Sequence, residues 1–514
     1  MPYGFNKNTM LMRYVRSPLI ASRFFSTAAL VEKAVPNNEV APKSGGGGRR
    51  NTLGRRLIGL VYPKHSAVAT IQKWKEEGRT VRKYELNRVV RELRKLKRYK
   101  HALEICEWMR LQKDIKLLPG DYAIHLDLIA KNRGLDSAEK FFEDLPDKMR
   151  DQATYTALLH TYVQNKLSGK AEALMKKMSD CGLTKYPLPY NHMLSLYISE
   201  GKLEKVPEIV KELKKNASPD IFTYNLLLSV CASQNDIEAA GKIFVELKEA
   251  KIEPDWVTFS ALTNLYIRGK QFDKAMCTLK EMEKMATREN RVVYPSLISL
   301  YTNMGDKDGV HRIWKKMKSC FRKMSNAEYT CAISSLAKLG EFGEAEKLYN
   351  ERESVSGSGD ARVPNIILAA YINGDRIEMA ENFYRQIAQK GSSLCYTAWE
   401  LLTRGYLKKQ EMEKVLDCFK QGVSNVKKWN PNDKLVGEVL KQLEELGDTE
   451  GLEKLLVILR NAGRLSTMVY NSLLRGYANA GKMPLVVAER MEKDSVPMDE
   501  ETHELLRLTS KMRL

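Results

Sequence analysis

A period of close to 35 residues runs through this chain and limits what it can fold into. Segments with a small residue at a fixed place in an apolar stripe align with one another. Examples are Glu238-Ala239-Ala240-Gly241-Lys242-Ile243-Phe244 and Gly343-Glu344-Ala345-Glu346-Lys347-Leu348-Tyr349. Sixteen residues before Ala240 lies Tyr224, and sixteen before Ala345 lies Tyr329. Extension of the rule gives twelve anchors: Leu86, Tyr122, Tyr155, Tyr190, Tyr224, Phe259, Tyr294, Tyr329, Pro364, Trp399, Val436 and Tyr470. Eight of the eleven intervals between them are 34 or 35 residues, which is the mark of a repeat architecture. Each unit reads as two helices joined by a turn rich in Gly or Asn, as at Gly201-Lys202, Asn235-Asp236, Gly269-Lys270 and Gly305-Asp306. One such hairpin cannot bury its own apolar face, whereas stacked hairpins can. The expectation is an all-α solenoid of about twelve hairpins over residues 83–514.

Charge narrows the partner. Lys and Arg number 84 against 64 Asp and Glu, a formal net charge of +20. Such a balance favours a polyanion. No apolar run approaches the roughly 18–20 residues of a membrane span, so no membrane partner is expected. The eight cysteines are dispersed without a CxxC pair. They read as buried, reduced thiols; zinc needs closely paired ligands, and no metal or other cofactor is expected.

Residues 1–31 contain Lys7, Arg13, Arg16 and Arg23 and no acid, with apolar residues at roughly helical spacing and Ser22, Ser26 and Thr27 following. This composition is that of an organelle transit peptide. Arg23-Phe24-Phe25-Ser26 resembles a plant mitochondrial cleavage site, which favours the mitochondrion, with the chloroplast as alternative. Residues 32–54, with their run from Gly45 to Gly48, read as a flexible basic linker, and 55–82 as a basic helical region.

Three unit openings are specific. They are Ile221-Phe222-Thr223-Tyr224-Asn225-Leu226-Leu227, Met468-Val469-Tyr470-Asn471-Ser472-Leu473-Leu474 and Gln152-Ala153-Thr154-Tyr155-Thr156-Ala157-Leu158-Leu159. They look like the opening of a pentatricopeptide repeat, and Lys248-Glu249-Ala250-Lys251-Ile252-Glu253-Pro254-Asp255 is similar to its close. The uninterrupted near-35-residue units resemble the P class of plant organelles. The tetratricopeptide pattern Trp-x-x-Leu-Gly is not seen.

The resemblance implies a right-handed solenoid whose first helices line a groove for single-stranded RNA, about one base per repeat. In this family the reading residues are the one after the anchor and the last of the repeat. The pairs implied are Asn191 with Asp220, Asn225 with Asp255, Ser260 with Asn290, and Thr330 with Asp360, which would read U, U, A and G. Asn365 suggests a pyrimidine, but its mate Cys395 departs from the pattern, as do Pro295 with Ser325 and Thr156 with Tyr186. Leu188, Phe222, Val257 and Val292, two residues before their anchors, would sandwich the bases. The same apolar residues could equally pack between hairpins, and Asn, Ser and Thr could equally hydrogen-bond a helix N-terminus.

From Arg49 to Lys116 there are twenty Lys and Arg against seven acids. The sharpest cluster, Arg88, Arg91, Arg94, Lys95, Lys97, Arg98 and Lys100, lies on an amphipathic helix and reads as an RNA-backbone contact or a solvated face. No catalytic constellation is present: the seven histidines lie far apart in sequence, and the HxE…PCxxC deaminase signature is missing. The expected function is non-catalytic RNA binding in mitochondrial RNA processing, stabilisation or translation. Single-stranded RNA is the expected partner, and DNA is not. The alternative is a structural subunit of the mitochondrial ribosome gripping rRNA by its backbone.

Overall fold

The computed structural model describes residues 52–62, 65–356, 362–389, 396–425, 433–484 and 486–511. The transit segment 1–31 and the linker up to residue 51 lie outside them, as do Asp360 and Cys395. Among the described residues there are 27 α-helices and no β-strand. The chain divides into two units, residues 1–265 and 266–514.

The anchors set the helix phase. In ten of the twelve repeats the anchor is the fourth residue of its first helix, as Tyr190 is in Pro187–Glu200 and Tyr224 in Ile221–Gln234. The starts are fixed by local chemistry. Asp220 sits in extended conformation before Ile221, and its carboxylate accepts from the Thr223 backbone N–H at 2.9 Å, satisfying an orphan donor of the first turn. At the far end Asn235 adopts φ 57° and turns the chain into the second helix, a conformation that Asn tolerates better than most residues.

Packing explains the sixteen-residue rule. Tyr190, Tyr294 and Tyr470 are fully buried, and so are the small residues Ala102, Ala138, Ala171, Ala240, Ala275, Ala345 and Ala380 of the second helices. The small side chains let the helices of a pair approach, and the aromatic anchor fills the space beside them. The rule fails at the last hairpin, where Val486 is exposed at φ 44° and the second helix is only Val487–Lys493.

Neighbouring hairpins are also clasped through a polar set seven residues after the anchor. Tyr197 donates to Glu172 at 3.1 Å, Lys205 pairs with the same carboxylate at 2.6 Å, and the ammonium lies 5.3 Å from the tyrosine ring centre. Tyr477, Glu453 and Arg490 repeat the arrangement, as do Tyr301, Glu283 and Arg312.

Two elements lie outside the twelve repeats. Leu53–Ile58 and Ala67–Glu76 form a further hairpin stacked on the first repeat, with Leu57 and Ile71 fully buried. The helical region therefore begins at Leu53 rather than at residue 55, with Thr52 accepting from the Arg55 backbone N–H. Glu500–Thr509 packs against Thr467–Asn479 as the first helix of another repeat would.

Candidate nucleic-acid interface

In the ten repeats that keep the helix phase, the residue after the anchor is the fifth of its helix. Asn191 donates from Nδ2 to Oδ1 of Asp220 at 3.0 Å, and Asn225 donates to Asp255 at 3.1 Å. A third residue completes each set. Thr223 Oγ1 donates to Asn191 Oδ1 at 2.8 Å, and Thr258 Oγ1 to Asn225 Oδ1 at 2.7 Å. Asn191 and Asn225 are thereby buried, at 6% and 4% exposure, while the two aspartates remain half-buried. The paired residues proposed from sequence do meet, and the aspartate has a second task as helix N-cap.

A third set was not singled out from sequence. Asn471 donates to Asp499 at 3.1 Å, and Thr502 Oγ1 donates to Asn471 at 2.7 Å. The signal was available: Asn471 follows the anchor Tyr470, and Asp499 lies 28 residues beyond Asn471, close to the 29 and 30 that separate the other two pairs. Asn87 occupies the equivalent place in the first repeat. Its partner at 3.0 Å is Asp121, which is the third residue of the next helix and accepts from the Leu118 backbone N–H at 2.8 Å, rather than standing at the N-cap position itself.

The other expected readers are placed differently. Ser260 is half-buried, and Asn290 is exposed in a turn before Val293–Met304. That helix starts late, so Tyr294 is its second residue rather than its fourth. Pro295 accounts for this: in a helix started two residues earlier it would be the fifth residue, without the N–H that bonds the carbonyl of residue 291, whereas here it stays in the first turn. The Arg291 guanidinium meets Glu328 at 2.6 Å and the Lys323 carbonyl at 2.7 Å. The Thr330 hydroxyl donates to the Asn326 carbonyl of its own helix at 2.7 Å. Asn365 is half-buried. Of the sandwiching set, Leu188, Phe222 and Val257 are half-buried and Val292 is 39% exposed.

The basic helix, Lys83–Lys95 with its following turn, needs correction. Arg88, Lys95, Lys97 and Lys100 are exposed and Arg91 is half-buried, but Arg94 is not on the solvated face. Its guanidinium is buried and pairs with Asp127 at 2.7 Å, where Lys131 also reaches the carboxylate at 2.8 Å. Burial alone would push the Asp127 carboxyl up, yet Lys131 and Arg94 hold it below its ordinary range. Arg98 donates to the Ile58 and Leu60 carbonyls, closing the C-terminal end of the additional hairpin. Arg94 and Arg98 therefore hold the fold, for the physical reason that a buried cation needs a fixed acceptor.

The histidines gather no chemistry. His160 and His192 stack with ring centres 4.9 Å apart, and burial pushes His160 down to about 4 and His192 well below its usual value. Burial likewise pushes His125 down to about 4, with Arg110 and Arg133 adding to the effect. Both forms of argument make them neutral packing groups at neutral pH. Among the described residues no group of three or more His, Cys, Asp or Glu is placed to hold a metal ion, and the seven described cysteines form no disulfide. No helix of the described residues is long and apolar enough to cross a membrane.

These geometries can be set beside known proteins. Models described as "PPR repeat family" and "Pentatricopeptide repeat domain" match residues 219–268 and 188–233, and the "PPR repeat" model matches 153–183, 257–285, 292–320, 329–351 and 468–487. A mitochondrial pentatricopeptide repeat-containing protein of Arabidopsis thaliana is 59% identical over 525 residues, covering 99% of this chain and 98% of that protein. The chain belongs to the pentatricopeptide repeat family. A second Arabidopsis thaliana pentatricopeptide repeat-containing protein is 32% identical, covering 94% of this chain and all of the relative. Among solved structures, the pentatricopeptide repeat protein PPR10 from maize is 17% identical with a TM-score of 0.38, covering 96% of this chain and 80% of that one. PPR10 in complex with an 18-nt psaJ RNA element is 16% identical with a TM-score of 0.35, covering 95% of this chain and 89% of that one. For the pentatricopeptide fold, the fifth-residue asparagine and the capping aspartate are where the repeat offers polar groups in a recurring frame.

Proposed function

We propose that this pentatricopeptide repeat protein binds single-stranded RNA in the mitochondrion and acts without catalysis, by occupying a site in RNA processing, stabilisation or translation. The observation that carries the reading is the recurrence of Asn with Asp at one-repeat spacing, at Asn191–Asp220 and Asn225–Asp255. An amide and a carboxylate held together supply a donor and an acceptor for a base edge, and a mismatched edge leaves buried polar groups unsatisfied. The tract from Asn191 to Asp360 implies the element U-U-A-any-G. Leu188, Phe222, Val257 and Val292 would flank the bases, and Arg88, Arg91, Lys95, Lys97 and Lys100 would meet phosphates. Selection of bound sequences from a random RNA pool tests it, with enrichment of that element as the expected result.

A structural role in the mitochondrial ribosome is the second reading. It draws on repeats whose pairs depart from the family pattern: Thr156 is matched with Tyr186, and Pro295 has no donor. Tight RNA binding with no enriched motif, together with co-sedimentation with ribosomes, would favour it. Residence in the mitochondrion rests on the acid-free segment 1–31 and on the relative's name. A reporter carrying residues 1–31 should enter mitochondria, and replacement of Arg13, Arg16 and Arg23 by Glu should stop it. Delivery to chloroplasts instead would overturn the assignment.

A further inference from the structure

We infer that Thr223 and Thr258 are specificity-positioning residues, which together with the aspartate hold the amide of the asparagine in the preceding repeat in place and so set how strictly it prefers uracil to cytosine. The inference rests on the base-reading role proposed above for Asn191 and Asn225.

The argument begins with hydrogen-bond valence. An ionised carboxylate only accepts, so the Asn191 atom 3.0 Å from Asp220 Oδ1 must be the amide nitrogen. The other amide atom, Oδ1, then faces the Thr223 hydroxyl at 2.8 Å, which must donate to it. The same logic holds for Asn225 between Asp255 at 3.1 Å and Thr258 at 2.7 Å, and for Asn471 between Asp499 at 3.1 Å and Thr502 at 2.7 Å. All three threonines are fully buried, so water does not offer the amide oxygen an equivalent partner from their side.

The threonine is tied to the asparagine and is not only a helix-start device. Thr154 occupies the same third place in its helix, but the preceding repeat has Ala123 after its anchor. There the hydroxyl turns to the Met149 and Asp151 carbonyls, each at 3.0 Å. Where an asparagine is present, the hydroxyl lies against its amide oxygen, at 2.8 Å for Thr223 and 2.7 Å for Thr258, and shares its proton with the capping aspartate at 3.0 and 2.9 Å.

At Asn191 and Asn225 the clamp leaves the amide one N–H and one lone pair, and leaves the aspartate its second oxygen; at Asn471 the amide nitrogen also meets Asp499 Oδ2 and Glu501. With the orientation locked, the amide presents its N–H beside a carboxylate acceptor. Uracil complements that edge with a carbonyl oxygen beside N3–H. A turned amide would set Oδ1 against the acceptor-only Asp220 carboxylate, so the threonine acts by holding the amide in place: without its bond the N–H can swing away from the uracil carbonyl, and the cost of meeting the exocyclic amine of cytosine there falls. Removal of the threonine hydroxyl therefore relaxes uracil-over-cytosine discrimination while leaving the stacking and backbone contacts that give affinity.

The test uses the full chain and short RNAs carrying U or C at the base assigned to Asn191, with the neighbouring base as internal control. Thr223→Val removes the hydroxyl and keeps the shape; Thr223→Ser keeps the hydroxyl. The expected result is a loss of about fivefold in U-over-C preference at that base alone for Thr223→Val, the fold-change of one net hydrogen bond, with preference restored in Thr223→Ser. If wild type discriminates and Thr223→Val discriminates equally well, the threonine's role is overturned while base reading stands. If wild type itself shows no preference at either base, base reading is overturned and this inference with it. Should Thr223→Val fail to fold, Thr258→Val decides the matter in the same way at the adjacent base.

Discussion

At the scale of single residues, the asparagine after the anchor has a structural duty in its bond to the aspartate and a proposed recognition duty, and they can be separated by substitution. Asn225→Thr pairs a threonine with Asp255, the combination that resembles a guanine reader in this family. Random-pool selection on wild type and variant should show U replaced by G at the second position of the element and nowhere else. Unchanged enrichment at that position would sink the assignment. The fold should tolerate the change at a cost of about 1 kcal/mol, because Thr258 keeps Asp255 as an acceptor at 2.9 Å when the amide is lost. The pairing of Asn with Asp was legible in the sequence because the period put both at fixed offsets from an anchor. The threonine was not, since a threonine three residues after an aspartate already has a sufficient explanation in helix capping. Only the distances from Asn191 and Asn225 give it a second one.

At the scale of elements, periodicity predicted helix starts well and failed where the chemistry of one residue overrode it. Pro295 cannot be the fifth residue of a helix that starts at residue 291, and the helix begins at Val293, two residues later. The basic helix teaches the same lesson. Amphipathic spacing put Arg94 with the exposed cations, yet Asp127 lies 33 residues later, close to one period, and the two meet inside the stack. Opposite charges one repeat apart recur as pairs, at Lys205 with Glu172, Lys307 with Glu341 and Lys318 with Glu351. That spacing was a readable signal of pairing. It divides the basic helix into two functional classes. Changing Arg88, Lys95, Lys97 and Lys100 together to Ala should weaken binding to all RNA sequences alike. Each lost phosphate contact should lower the log–log salt slope by roughly 0.7. Arg94→Ala should instead leave the slope unchanged and destabilise the N-terminal repeats by about 1–3 kcal/mol, because the buried Asp127 loses one of its two cations and keeps Lys131. Salt titration of binding and thermal unfolding of the two variants separate these outcomes; a slope that does not move in the quadruple variant would mean those side chains only solvate the helix.

At the scale of the whole molecule, a repeat array is a chain of neighbour contacts, and its stability follows what those contacts do with protons. Two classes of titrating group act in the same direction, over adjoining ranges of pH. The carboxyls of the clasps are held below their ordinary range: Glu172 by its bond to Lys205, Glu139 by its bond to Lys170. A group with a depressed folded pKa stabilises above its unfolded value, and that contribution is lost as pH falls through the folded one. Because these pairs are partly exposed, each contributes under about 1 kcal/mol. The buried histidines act earlier in an acid titration. His160 and His125 titrate near 4 in the folded chain, and the unfolded chain takes up those protons near the usual histidine value. Between about pH 6.5 and pH 4 the unfolded state therefore binds more protons, and stability falls by up to about 1.4 kcal/mol per pH unit for each such histidine. All three histidines lie in residues 1–265, so the loss should be concentrated there. The measurement is hydrogen exchange of the native chain at pH 7 and pH 5. Amides of the helices Pro119–Arg133, Gln152–Gln164 and Pro187–Glu200 should lose protection at pH 5, after correction for intrinsic rates, ahead of those in Thr449–Asn461 and Thr467–Asn479. The substitution His192→Leu should reduce that loss, since an apolar side chain in the same buried place has no proton to gain. Equal loss across all five helices, or no relief in the variant, would show that the carboxylate clasps and not the histidines govern acid stability.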